Sequence, residues 1–169
     1  DKAQDSEMAL PTSMTVFNRS MINLSNEIGV INSYSLHQRA VKSLNSNIKY
    51  YTVGQLKTSE NHYSDWLKFF KIEFKISPDT IKNKISFNIL KKDKGFVISK
   101  FNSNDDLMKT YDFKSLTSSD ITHDLPFEVS LTGENFDEKI IEFNNFENVT
   151  ESFRKSVTVI PSQKDSDQL

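Results

Sequence analysis

A chain of 169 residues that is 36% apolar is long enough for one domain with a real core, and it carries too little apolar content for much more. A formal net charge of −2 excludes wholesale attraction to nucleic acid or to an anionic membrane. The lack of cysteine excludes disulfides and thiolate metal sites, and no stretch approaches the roughly 20 apolar residues of a membrane span.

The 13 Phe offset the low apolar content, because each buries a large area. Charge is unevenly spread. Residues 68–100 hold nine Lys against Glu73, Asp79 and Asp93, whereas residues 101–155 hold twelve acids against five cations. Such runs read as solvated outer faces or, more sharply, as a docking surface for a polar partner.

Residues 1–12 are polar and read as disordered. The chain opens at Asp1 without Met, as expected if a signal peptide, an anchor or other preceding part has been removed. From Met14 a helical pattern begins. Met14, Phe17, Met21, Leu24, Ile28 and Ile31 are spaced 3, 4, 3, 4, 3, the rhythm of a coiled-coil seam. It slips near Ser33–Ser35 and resumes at Val41, Leu44 and Ile48, so residues 13–48 read as a helical, coiled-coil-like segment. Gly29 and the many Asn and Ser are poor helix formers. The helix therefore needs a partner, either this chain's own domain or a second copy.

Residues 49–65 read as a connector, and 60–161 as an α+β domain. Phe70, Ile72, Phe74 and Ile76 alternate with Lys71, Glu73 and Lys75, a strand with one buried face. Ile85, Phe87 and Ile89 form a second strand, Lys91–Gly95 a turn, and Phe96–Phe101 a third strand, together an antiparallel meander. A short helix is expected around Asp105–Tyr111. Phe127, Val129 and Leu131 alternate in another strand that Gly133 ends. Asn135 and Glu138 fit a capping box, after which Phe136, Ile140, Phe143, Phe146, Val149 and Phe153 share one helical face, with Ile141 pointing elsewhere. Val157 and Val159 read as a last strand, and 162–169 as a loose tail. The expected fold is α+β: an N-terminal helix, an antiparallel sheet and helices packed on one face of it.

The residues offer little catalytic chemistry. His37, His62 and His123 lie far apart, and none has a second ligand at metal spacing. The four Gly build neither a phosphate cradle nor a nucleophile elbow. Asp105–Asp106 and Asp137–Glu138 are adjacent acids that would point apart on a helix, and the first pair reads as helix N-terminal charge. Phe70, Phe74 and Phe87 alternate against lysines and face inward, unlike the open aromatic face of a nucleic-acid sheet. Trp66 with Tyr63, Phe69 and Phe70 reads as core or as a ligand pocket. No catalytic, metal or cofactor residues are assigned.

The run Pro126-Phe127-x-Val129-x-Leu131-x-Gly133, then Asn135-Phe136, a helix to Phe153 and Val157-x-Val159, resembles the closing strand-helix-strand of one known family. This is the periplasmic domain of the PilO-like inner-membrane alignment proteins of type IV pili and type II secretion systems. The 14–31 seam takes the place of that group's coiled coil, whereas the meander at 69–101 departs from its strand-helix-strand first half. The resemblance implies a ferredoxin-like closing unit and a non-enzymatic scaffold without cofactor. It implies a homodimer or paralogue heterodimer that meets other envelope assembly proteins, is periplasmic, and touches the inner membrane only through a removed N-terminal anchor. A pilin-like or secreted surface subunit, and an exported lipoprotein with a Phe-lined ligand cavity, are the alternatives.

Overall fold

The computed structural model describes residues 23–118, 124–132, 134–136 and 138–159. Residues 23–31 are helical (α1), and Asn32 and Ser33 close that helix through backbone bonds to Ile28 and Val30. Helix α2 spans Tyr34–Leu44. Ser33 caps it by accepting from the Leu36 N–H, and Asn45, at φ 50°, ends it in the left-handed region. The break falls where the seam's spacing slips.

The strands β1 (Ile48–Val53), β2 (Thr58–Asn61), β4 (Ile85–Lys91), β5 (Phe96–Phe101), β6 (Leu107–Phe113) and β8 (Glu138–Phe143) form one antiparallel sheet in the order β2-β1-β8-β4-β5-β6. The strands β3 (Phe70–Phe74) and β7 (Phe127–Leu131) form a second, two-stranded sheet. A short helix α3 (Tyr63–Trp66) precedes β3, a 3-10 turn (Pro78–Thr80) follows it, and α4 (Phe146–Ser156) follows β8.

The protein is thus α+β, but the six-stranded sheet is covered by another sheet rather than by helices. Phe87 and Phe143 on its inner face meet Phe127 of β7 at 5.0 and 5.8 Å between ring centres, and Phe74 of β3 meets Phe143 at 6.0 Å. Every inward residue of the main cluster comes from the two sheets, from α3 or from the segments that flank them. Helices α2 and α4 pack on each other and bury His37, Val41, Phe146 and Thr150. Asn47 ties this helix pair to the sheet. Fully buried, it donates to the carbonyls of Pro78 (3.0 Å) and Asn144 (3.2 Å) and accepts the Asn144 N–H at 2.8 Å.

Five sequence expectations are corrected. The helix expected from Asn135 to Phe153 is a strand and then a helix: residues 138–143 are β8 at the centre of the sheet, and Asn145, not Asn135, caps α4. The closing unit is strand-strand-helix, and 157–159 make no strand. The expected helix near Asp105–Tyr111 is a turn followed by edge strand β6, so Asp105 and Asp106 flank no helix. The connector 49–65 contains β1, β2 and α3, which brings the sheet's start ahead of residue 60. The first strand of the expected meander, β3, pairs with β7 in the other sheet, and β6 takes its place beside β5.

More than one physical reason lies behind these differences. Alternation identifies a buried face but not what covers it. In β8 the alternation is hidden because Lys139 takes an inward position: it is buried, its Nζ donates to Thr52 Oγ1 at 2.7 Å and stands 4.2 Å from the Phe69 ring centre. The turn expected over Lys91–Gly95 is present at Lys92–Gly95, with Lys91 the last residue of β4. Gly95 has φ 89°, and a Cβ there would lie 1.9 Å from the Phe113 carbonyl oxygen, so only glycine fits.

Candidate functional site

Of the seam residues, Met14, Phe17 and Met21 lie outside the described residues. Leu24, Ile28 and Ile31 fall on α1. Leu24 is 44% and Ile31 38% exposed, Ile28 is half-buried, and neighbouring Val30 is 62% exposed. The described half of the seam is thus helical and open to water. The resumed positions diverge: Val41 is buried in the helix pair, Leu44 is exposed, and Ile48 is already in β1.

The histidines are not brought together. His37 is buried on α2, His62 caps α3 by accepting from the Ser64 N–H, and His123 lies outside the described residues. Among the described residues, no three of His, Asp and Glu are placed to hold a metal ion. In the aromatic cluster Trp66 and Phe70 are core, Phe69 is half-buried and Tyr63 reaches the surface.

The basic and acidic stretches meet within one molecule. Lys75, Lys82, Lys84, Lys92 and Lys100 pair with Glu128, Glu147, Glu142, Asp112 and Asp124 at 2.8–3.6 Å. Most of these pairs are exposed and contribute little stability each. They nevertheless account for much of the charge asymmetry without an outside partner. The Glu142 carboxylate holds the Lys84 ammonium pKa above its ordinary value.

Among the described residues, two of the open regions involve the six-stranded sheet and the space beneath it. The outer face of the six-stranded sheet carries Tyr51, Asn88, Phe101 and Ile140 around the Lys84–Glu142 pair, in a shallow depression of about 390 Å³. A deeper slot of about 470 Å³ opens at one end of the sandwich, between the sheets. Ile76, Ile81, Ile85, Phe87, Leu125 and Phe143 wall it, and Lys82, Lys100 and Asp124 stand at its polar side. Asp124 Oδ1 accepts from the Tyr111 hydroxyl and from Lys109 Nζ (3.0 Å), and its Oδ2 lies 3.6 Å from Lys100 Nζ. These bonds, Tyr111's first, hold the Asp124 carboxyl well below the usual range, while burial and then Asp124 push the Tyr111 hydroxyl up. Sequence reasoning did not find this slot. The one available signal was that Lys100 shares the parity of Phe96 and Ile98.

The molecule is therefore a two-sheet antiparallel α+β domain with an exposed N-terminal helix. No family model matches the chain, and no curated protein or solved structure matches it either.

Proposed function

We propose that the chain is a non-enzymatic scaffold that acts by association, with the seam of Met14, Phe17, Met21, Leu24, Ile28 and Ile31 as its contact. The observation that carries this reading is the exposure of Leu24 and Ile31 on α1, at heptad spacing with three further apolar residues upstream. A 3-4 spacing suits another helix, because knobs recurring every 3.5 residues fit the holes of a helical partner. The partner is a second copy or a paralogue.

The resemblance to PilO-like alignment proteins supplies the setting: a pilus or secretion machine of the bacterial envelope, the periplasm, and an inner-membrane anchor ahead of Asp1. The ferredoxin-like closing layout is not carried into this proposal, since residues 138–143 are strand. The remaining likeness is an exposed coiled-coil-like helix leading into an α+β domain.

Light scattering on the 169-residue chain tests the proposal. The expected result is a dimer whose mass halves in the Leu24→Asp/Ile28→Asp variant, with the circular dichroism of the sheet retained. A monomer at the outset, or an unchanged mass in the variant, would overturn it.

A further inference from the structure

The slot at the end of the sandwich has an unusual charge arrangement for an apolar space. Strand alternation puts Lys100 on the inner face with Phe96 and Ile98, opposite Phe87 of β4 and Lys109 of β6. The Lys100 side chain is only 17% exposed. A lysine whose side chain is mostly out of water gains from a close anion. Among the described residues its one carboxylate is Asp124, which is shared with Lys109 and Tyr111, and at 3.6 Å the contact is longer than the roughly 2.7–2.9 Å of a good charge-assisted bond. Among the described residues, two ammonium groups thus surround one carboxylate, which leaves a positive charge at the slot. Lys82 at the rim is matched by Glu147, but both are well exposed and screened.

Next to that charge lies an apolar wall built from β4 and β8 of the six-stranded sheet and from the segments that flank β3 and β7. Phe87, Phe143, Ile81 and Leu125 are core residues that stay in place, and Ile76 at the mouth is exposed. The volume of about 470 Å³ falls in the roughly 300–1,000 Å³ of small-molecule sites.

We propose that this slot binds a small amphiphilic carboxylate, a free monocarboxylic acid with a linear apolar chain. The chain lies along Ile76, Ile85, Phe87 and Phe143, and the carboxylate meets Lys100. Charge complementarity selects the headgroup, and the walls select the tail. This site is separate from the α1 seam, so its presence or absence leaves the association reading untouched.

Decanoate, decanol and decylamine titrated by calorimetry into the 169-residue protein provide the test. Decanoate should bind saturably at one site per chain, with decanol at least ~10-fold weaker and decylamine weaker still. Lys100→Met should reduce decanoate to the level of decanol and leave decanol unchanged. Ile76→Asp changes an exposed side chain, so the fold is kept, and it should weaken decanoate ~10-fold or more. Absence of saturable decanoate binding overturns the proposal. Equal binding of decanoate and decanol does so too, as does decanoate binding that Ile76→Asp leaves intact.

Discussion

Replacing Ile141 and Ile140 separately by alanine distinguishes the strand from the helix that residues 136–153 resemble. On a helix, Ile140 shares the face of Phe136 and Phe143, and Ile141 points away. In β8 the roles are reversed. Ile141 is 0% exposed between Tyr50 of β1 and Phe87 of β4, whereas Ile140 is half-buried on the outer face between Tyr51 and Asn88. Ile→Ala deletes three carbons, about 2.4 kcal/mol of transfer free energy at ~0.8 each, and incomplete collapse around the hole brings the loss to about 3–4 kcal/mol. At Ile140 water fills the space, so the loss should stay near ~1 kcal/mol. Urea denaturation followed by tryptophan fluorescence reads both, since Trp66 is buried in the same core. The slope of the unfolding free energy should be unchanged while the midpoint falls. A larger loss at Ile140 than at Ile141 would refute the placement of β8 and with it the sheet order.

Phe143→Ala removes a ring packed among Phe74, Phe87 and Phe127 and should cost ~3–5 kcal/mol in the same assay; a change below ~1 would contradict that packing. Asn47→Ala strands two buried carbonyls and should cost ~1–3 kcal/mol by urea titration, with a neutral result showing that the helix pair is not anchored there. Glu151, held by Arg154 first and then Lys155, should titrate at about 2 by NMR instead of the ordinary 4.5. Its folded pKa is depressed, so what this group contributes is present above pH 4.5 and is lost as pH falls from there through about 2. Arg154→Ala should return the midpoint toward the ordinary value, and an unmoved midpoint would exclude the pairing.

What was legible depended on whether one period dominated. In β3, β4, β5 and β7, Phe, Ile, Val or Leu recur at every second position, and each is a strand; the helix break at Asn32–Ser33 and the turn at Gly95 follow from local chemistry alone. In β8, Phe136, Ile140 and Phe143 satisfy a helical period while Lys139, Ile141 and Phe143 satisfy a strand period. The strand wins because the Lys139 ammonium finds Thr52 and the Phe69 face. Edge strand β6 was hidden by Leu107 and Met108, which are exposed, and by an exposed Lys109 in register with Lys100. Sheet order was beyond reach, since nothing in alternation says that β8 inserts between β1 and β4. The slot depends on that order, because its walls come from segments that are far apart in the chain.

The N-terminal helix raises a question of stability that bears on the association reading. Helix α2 directs His37 and Val41 at α4, so packing supports it. Helix α1 leaves Leu24, Val30 and Ile31 in water and contains Asn23, Ser25, Asn26 and Gly29, all weaker helix formers than alanine. A short helix of that composition is marginal without tertiary contacts, so its formation should be coupled to the burial of its seam. Gly29 provides the test. It lies off the seam, and a Cβ there meets nothing within 4 Å, so Gly29→Ala adds only helix propensity. That is worth up to ~1 kcal/mol per helix and ~2 per dimer, which predicts association ~30-fold tighter if folding and pairing are one step. Sedimentation equilibrium gives the constant, and circular dichroism over the same concentrations shows whether helix content rises as dimers form. Helicity that is independent of concentration, with an unchanged constant in Gly29→Ala, would mean that α1 is already formed in the monomer and that its folding is not coupled to pairing.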